Sequence, residues 1–213
     1  GMIWMDGFDF KSCGRIALVG GAFDPVHFGH LAAAQTVYES FDVDRVVLMP
    51  LGDAPHKSLS STPAAERYEM VREAVRDNPA LAVSDMEIRR GGKTYTVDTL
   101  RQIKGINPDM DIYFVMGADE FKAIDTWREP ESLFSLCRVI AVSRPGYDTA
   151  SNIKKTAEVK ERYGGEASFL EVPSLDISSS DLRKRIRDGR SVKYLIPKEA
   201  EEYIIRHDLY KEG

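Results

Sequence analysis

Only four histidines occur in this chain of 213 residues, and two of them, His27 and His30, stand three positions apart. They close the stretch Arg15-Ile-Ala-Leu-Val-Gly-Gly-Ala-Phe-Asp-Pro-Val-His-Phe-Gly-His30. Its apolar run ends at Gly20-Gly21, and helical spacing begins at about Phe28. Glycines at such a junction let a phosphate approach the backbone, and the free N–H groups of a first helical turn point at it. An imidazole in that turn works against the helix dipole, so two of them make sense when an anion lies against both, with Gly29 leaving room for the ligand. A core imidazole at 30 and a loop imidazole at 27 form the plain alternative, since short motifs recur freely. Zinc lacks a nearby third ligand and the glutamate of an H-E-x-x-H pattern.

Ile177-Ser-Ser-Ser-Asp-Leu-Arg183 opens a later helix. Ser178 with Asp181 has the form of a capping box, and Leu182 with Ile186 gives a buried stripe. Capping leaves Arg183 unexplained, a cation in the opening turns of a helix. An anion held by the helix N-terminus, the serine hydroxyls and the guanidinium together accounts for it. Three further stretches carry chemistry: Ala54-Pro-His-Lys57, Lys93-Thr-Tyr-Thr-Val-Asp-Thr-Leu100, and Gly117-Ala-Asp119 with Trp127 eight residues beyond the aspartate. Each has an ordinary reading: a solvated loop for His56 and Lys57, a helix cap for Thr94, Thr96 or Asp119, and a core position for Trp127.

Elements that position these groups follow from hydropathy. Ile16–Val19, Arg45–Met49, Asp111–Met116 and Arg138–Val142 are short continuous apolar runs, as expected of parallel strands covered on both faces, with weaker strands at Leu81–Ser84 and Ala167–Val172. Helical spacing predicts helices through Leu31–Phe41 and Met70–Val75, then over Val97–Lys104, Ile153–Tyr163, Ser180–Asp188 and Lys198–Arg206. The alternation implies an α/β fold, a Rossmann-like open and mainly parallel sheet with helices on both faces and a C-terminal helical segment. Ligands of such sheets sit beyond the carboxyl ends of the strands, where every motif above falls. Residues 1–14 form an N-terminal extension, with Gly1 a cloning remnant, and 15–213 a single domain.

A net charge of −5 argues against a nucleic-acid binder, and no apolar run reaches membrane-spanning length. Asp6, Asp9 and the Asp24-Pro25 break exclude a signal peptide at Ile16–Phe23. Cys13 and Cys137 read as reduced thiols of a cytoplasmic protein. No G-x-G-x-x-G follows a strand, and Gly92-Lys93-Thr94 lacks the first P-loop glycine because Glu87 stands there.

The string Gly-Gly-x-Phe-Asp-Pro-x-His-x-Gly-His resembles the signature of the nucleotidyltransferase superfamily, which also carries an Ile-Ser-Ser-x-x-x-Arg element. The two motifs together with Tyr95-Thr96, Gly117-Ala-Asp119 and Trp127, in this order from about Arg15 to Tyr210, resemble the bacterial nicotinate-nucleotide adenylyltransferases. The resemblance implies adenylyl transfer from ATP to nicotinate mononucleotide, giving deamido-NAD and pyrophosphate in NAD biosynthesis. It implies that His27, His30 and Arg183 act on the reacting phosphates, with Gly20, Gly21, Ala22, Phe23, Lys57, Ser179 and Ser180 holding the triphosphate. It places the pyridine on Trp127 and its carboxylate on Tyr95 and Thr96. A ribose hydroxyl falls to Asp119, beside Gly117, and phosphate to His56 with Lys57. Mg²⁺ enters on the ATP, with no protein metal site, and the sequence leaves room for a homo-oligomer. Alternatives are an adenylyltransferase acting on nicotinamide mononucleotide or phosphopantetheine, a cytidylyltransferase, whose first loop usually departs from Phe-Asp-Pro, and a non-catalytic nucleotide sensor on the same fold.

Overall fold

Strand and helix alternate from Arg15 onward. In the computed structural model, which describes residues 7–53, 62–146, 149–173 and 175–212, the strands form one wholly parallel sheet. They are β1 (Arg15–Gly21), β2 (Arg45–Pro50), β3 (Leu81–Val83), β4 (Asp111–Gly117), β5 (Arg138–Ser143) and β6 (Ala167–Glu171), in the order β3-β2-β1-β4-β5-β6. The chain winds outward from β1 on one side and from β4 on the other. The seam between them, where Val19 lies opposite Val115, is therefore the switch point at which such sheets bind ligands.

Helices α1 (Phe28–Ser40), α2 (Ala64–Val75), α3 (Met86–Arg90), α4 (Thr96–Ile106), α5 (Ala118–Lys122), α6 (Pro130–Leu136), α7 (Thr149–Tyr163), α8 (Ser179–Arg187) and α9 (Lys198–Arg206) cover both faces. Alternation along the strands decides which face each side chain enters. Ala17, Val46 and Leu48 pack with Val37 of α1, Met70 of α2 and Ile204 of α9. Ile16, Leu18, Val47 and Met49 enter the opposite core with Leu100 of α4, Phe121 of α5 and Leu133 of α6. Each fully buried aliphatic side chain contributes about 1.5–3 kcal/mol. Phe10, upstream of β1, is buried in the second core, and the carbonyls of Phe10 and Cys13 accept from the Asn107 amide.

The structure departs from the sequence reading in short elements. Helices α3, α5 and α6, of five to seven residues, were not expected as such, because one or two turns give too few repeats to reveal a period. Asp119 does not cap α5; Gly117 is its N-cap and Asp119 lies in the first turn. Thr96 is likewise the first residue of α4, with Tyr95 in the N-cap position and no side-chain cap bond.

Candidate active site

The turn between β1 and α1 is built around the two imidazoles. His27, the N-cap of α1, accepts at Nδ1 from the backbone N–H of Gly29 (3.0 Å) and of His30 (3.4 Å). His30 accepts at its own Nδ1 from the His27 N–H (3.1 Å). The pair thus forms a capping box in which imidazoles do the work of Ser and Glu. Their rings stack at 3.7 Å, and Phe23 meets His30 edge-to-face. An Nδ1 that accepts carries no proton, so each neutral ring holds its proton on Nε2, the edge left for a ligand. Burial pushes the His27 pKa down to about 4; burial and then the neighbouring His27 push His30 down to about 3. The dipole objection to histidine in a first turn applies to the charged ring, and these are neutral.

Two expectations about this loop change. A Cβ at Gly29 would sit 2.7 Å from Cε1 and 2.9 Å from Nδ1 of His27, so Gly29 makes room for the His27 ring as well as for anything above it. The Phe23 side chain is buried, supporting Gly21 and His30 from below, and cannot itself reach a phosphate. At Gly20 a Cβ would meet no atom within 4 Å.

Helix α8 closes the loop from the other side. Ser178 caps it, accepting from the Asp181 N–H. The Ser179 hydroxyl donates to the Pro25 carbonyl (2.9 Å), and Arg183 donates through Nη1 to the Asp24 carbonyl (2.8 Å). Ser180 is exposed, with its hydroxyl 3.3 Å from that of Ser178. The two motifs are therefore joined by direct hydrogen bonds across 154 and 159 positions, with Ser179 and Arg183 gripping the histidine loop. Arg67 is a partner that the sequence did not suggest. Buried in α2, its guanidinium donates to the carbonyls of Thr62, Ala22 and Leu51, tying the loop after β1 to the loop after β2.

Above the seam between β1 and β4 lies a cavity of about 430 Å³ whose walls include Gly20, His27, His30, Gly117 and Ser178. Glu120 and Arg144 also line it, neither foreseen; Arg144 had a signal, since Ser143-Arg144-Pro145-Gly146 leaves the carboxyl end of β5. Asp119 borders an adjoining hollow of about 590 Å³ that shares Gly117, Glu120 and Arg144 with the first. Gly117 and Asp119 thus stand beside the histidine cavity.

Arg128, the residue after Trp127, lies over Tyr95, its guanidinium carbon 4.3 Å from the ring centroid. Arg101 of α4 strengthens the link by donating twice to Glu129, at 3.1 and 2.8 Å. Trp127 is half-buried, edge-to-face with Phe114 at 6.0 Å. His56 and Lys57 lie outside the described residues.

Comparison with known proteins shows the family and the fold. Residues 18–185 match the family model described as cytidylyltransferase-like. A relative from Desulfitobacterium hafniense (strain Y51), named "Probable nicotinate-nucleotide adenylyltransferase", is 41% identical over 198 residues, 92% of this chain and 96% of its own. One of the same name from Streptomyces coelicolor is 45% identical over 195 residues, 91% of this chain and 99% of its own. Among solved structures, a Plasmodium falciparum nicotinic acid mononucleotide adenylyltransferase complexed with NaAD superposes with a TM-score of 0.75 at 24% identity, covering 93% of this chain and 98% of that one, which shows the fold.

Proposed function

From the premise that this chain belongs to the nicotinate-nucleotide adenylyltransferases of the cytidylyltransferase-like family, we propose that it transfers the adenylyl group of ATP to nicotinate mononucleotide. The observation that carries the site assignment is the pair of imidazoles whose Nδ1 atoms are both occupied by backbone N–H groups at the switch point. Two neutral Nε2–H donors held at a helix N-terminus suit the oxygens of an α-phosphate as negative charge moves onto them.

In this reading a phosphate oxygen of the acceptor attacks the α-phosphorus in line. The new P–O bond forms as the bond to the β-phosphate breaks, and pyrophosphate leaves with the electron pair. The acceptor phosphate is ionised at neutral pH, so no protein base is needed, and the contribution of the chain is positioning and charge stabilisation. Gly20 gives the nucleotide its path past β1, and His27 and His30 hold the α-phosphate. Arg183 and Ser179 serve the outer phosphates, exchanging their present carbonyl bonds for phosphate oxygens, and the exposed Ser180 hydroxyl joins them. Trp127 offers a face to the pyridine, Tyr95 and the start of α4 donate to its carboxylate, and Asp119 accepts from a ribose hydroxyl. Glu120 and Asp176 line the cavity with the two histidines, and among the described residues no group of three His, Cys, Asp or Glu side chains is placed to hold a metal ion. In this reading Mg²⁺ enters as part of the substrate MgATP.

Pyrophosphate release with MgATP and one acceptor at a time tests the reading. Nicotinate mononucleotide should be used and a deamido-NAD mass recovered. Turnover only with phosphopantetheine would reassign Tyr95, Thr96 and Trp127, and tight ATP binding without turnover would make the protein a sensor.

A further inference from the structure

The turn that carries Trp127 is held from behind by α7, a helix outside the cavities described above. Lys155, Arg162 and Tyr163 lie on one face of α7, at i, i+7 and i+8, and all three reach the carboxylate of Asp125. Lys155 donates to Oδ2, and the Tyr163 phenol (2.5 Å) and Arg162 (3.4 Å) to Oδ1. Asp125 is the middle residue of the short 3-10 turn Ile124–Thr126, two positions before Trp127. We propose that Asp125, gripped by Lys155 and Tyr163, is a positioning residue for the acceptor, fixing the turn that presents the Trp127 ring to the pyridine. This rests on the functional reading above and extends it to residues that do not touch substrate.

The backbone carries the anchor to the ring over a short path. The N–H of Thr126 donates to the Ala123 carbonyl and that of Trp127 to the Ile124 carbonyl, both at 3.0 Å, and the Thr126 hydroxyl also donates to Ala123. A shift of Asp125 is therefore a shift of Trp127. The half-buried indole meets Phe114 edge-to-face at 6.0 Å, toward the far end of the range for such pairs, so its placement leans on its backbone. The other flank is tied to the same helix. The Tyr163 ring stacks on Phe134 of α6 at 5.6 Å with the planes 15° apart, and Val159 shares a core with Ile124 and Phe134. Helix α7 thus grips the chain both before and after the indole. Packing alone does not call for the charges. The Lys155 side chain is only 12% exposed, and an ammonium so covered needs an anion. Glu158 of the same helix stands back at 3.9 Å, and the hydrogen bond of the ammonium goes to the turn instead. Lys155, then Tyr163, hold the Asp125 carboxyl below its ordinary range, so it is the anion that both donors need at neutral pH.

The test separates the two substrates. Pyrophosphate release is measured with MgATP and nicotinate mononucleotide varied in turn, in the wild type, Tyr163→Phe, Lys155→Met and Asp125→Asn, with melting curves as the folding control. Trp127 emission is followed in the same proteins carrying Trp4→Phe, which leaves one tryptophan in the chain. Asp125→Asn should raise the KM for the acceptor roughly tenfold, the weight of one charged hydrogen bond, with kcat and the KM for ATP within about twofold of wild type. Tyr163→Phe keeps the stack on Phe134 and should give a smaller rise of the same kind; it decides the matter if Asp125→Asn fails to fold. Trp127 emission should shift to the red, and its quenching by acrylamide should increase, in the same order. Equal rises in both KM values overturn the proposal, as does unchanged emission or a loss of melting temperature with the acceptor KM intact, since Asp125 would then be a structural ion partner only. A wild type that does not use nicotinate mononucleotide removes the functional reading, whatever the variants do, and the positioning role with it.

Discussion

The phenol of Tyr210, near the end of the chain, donates to Oδ1 of Asp24 in the loop between β1 and α1, 186 positions away. Burial, then the Asp24 carboxylate, raises the pKa of that phenol, and Thr62 and Arg183 also face it. Asp24 is thus held twice, by Tyr210 at its carboxylate and by Arg183 at its carbonyl, three residues before the His27 cap. Tyr210→Phe removes one hold without opening a cavity. It should cost about 1.5–3 kcal/mol in urea unfolding, the usual value of a hydrogen bond to a charged partner. It should also lower kcat/KM for ATP while leaving the acceptor KM in place. Unchanged kinetics at reduced stability would limit the C-terminal segment to a structural role.

The depressed histidines set a pH dependence. An unfolded imidazole titrates near 6.5, and the folded values are about 4 for His27 and about 3 for His30. The unfolded chain therefore binds more protons below 6.5, so this contribution to stability is intact above that pH. It is lost progressively as the pH falls below 6.5, the loss levelling off near 4 for His27 and near 3 for His30. Urea midpoints measured from pH 7 to 4 should decline, and His27→Asn, which can still cap α1, should flatten the decline. A bound triphosphate opposes the depression, so ATP binding near pH 5.5 should take up protons, seen by calorimetry in buffers of different ionisation enthalpy.

Much of this was legible in the sequence because the signals were local. Apolar runs such as Arg45–Met49 gave the strands, and the spacing of His27, His30, Ser179 and Arg183 marked both helix N-termini of the site. What escaped depends on contacts between distant segments. Arg67 reads as one more cation on an amphipathic helix until its four carbonyl partners are seen, and Tyr210 as an aromatic near a terminus. Ser179 and Arg183 were read as anion ligands, yet their present partners are carbonyls of the loop they adjoin. Helix α6 was hidden because its turn begins only after Glu129 takes a left-handed φ of 51°, a conformation unfavourable to glutamate that nothing local announces.

Two glycines of one motif should respond oppositely to alanine. At Gly20 the added methyl meets nothing in the protein, so Gly20→Ala should leave the melting temperature within a degree or two of wild type and raise the KM for ATP. At Gly29 the methyl collides with the His27 ring, displacing the imidazole from its cap. Gly29→Ala should then lower kcat by about 10²-fold, the scale of losing one transition-state donor. Its cost in stability should be partly offset by the roughly 1 kcal/mol helix preference of alanine over glycine. Equal effects at the two positions would remove the distinction between ligand space and ring space.

Arg67 offers the severest test of the loop architecture. Its guanidinium is buried, bonds Thr62 at 3.1 Å and Ala22 and Leu51 at 2.8 Å, and has Asp53 at 3.8 Å. Arg67→Met keeps the aliphatic volume and leaves those carbonyls without their donor, while the Asp53 carboxylate keeps the Ala64 N–H and solvent. Removing one partner from a buried charged network typically costs about 3–5 kcal/mol, and that loss is expected in urea unfolding. Arg67→Lys keeps a charge but replaces a planar fork reaching both loops with a point donor, so it should recover only part of the loss. Because the bridge joins the loop carrying the histidines to the loop leading to His56 and Lys57, the lysine variant should raise the KM for both substrates. A methionine variant within 1 kcal/mol of wild type would mean that the two loops hold their positions independently.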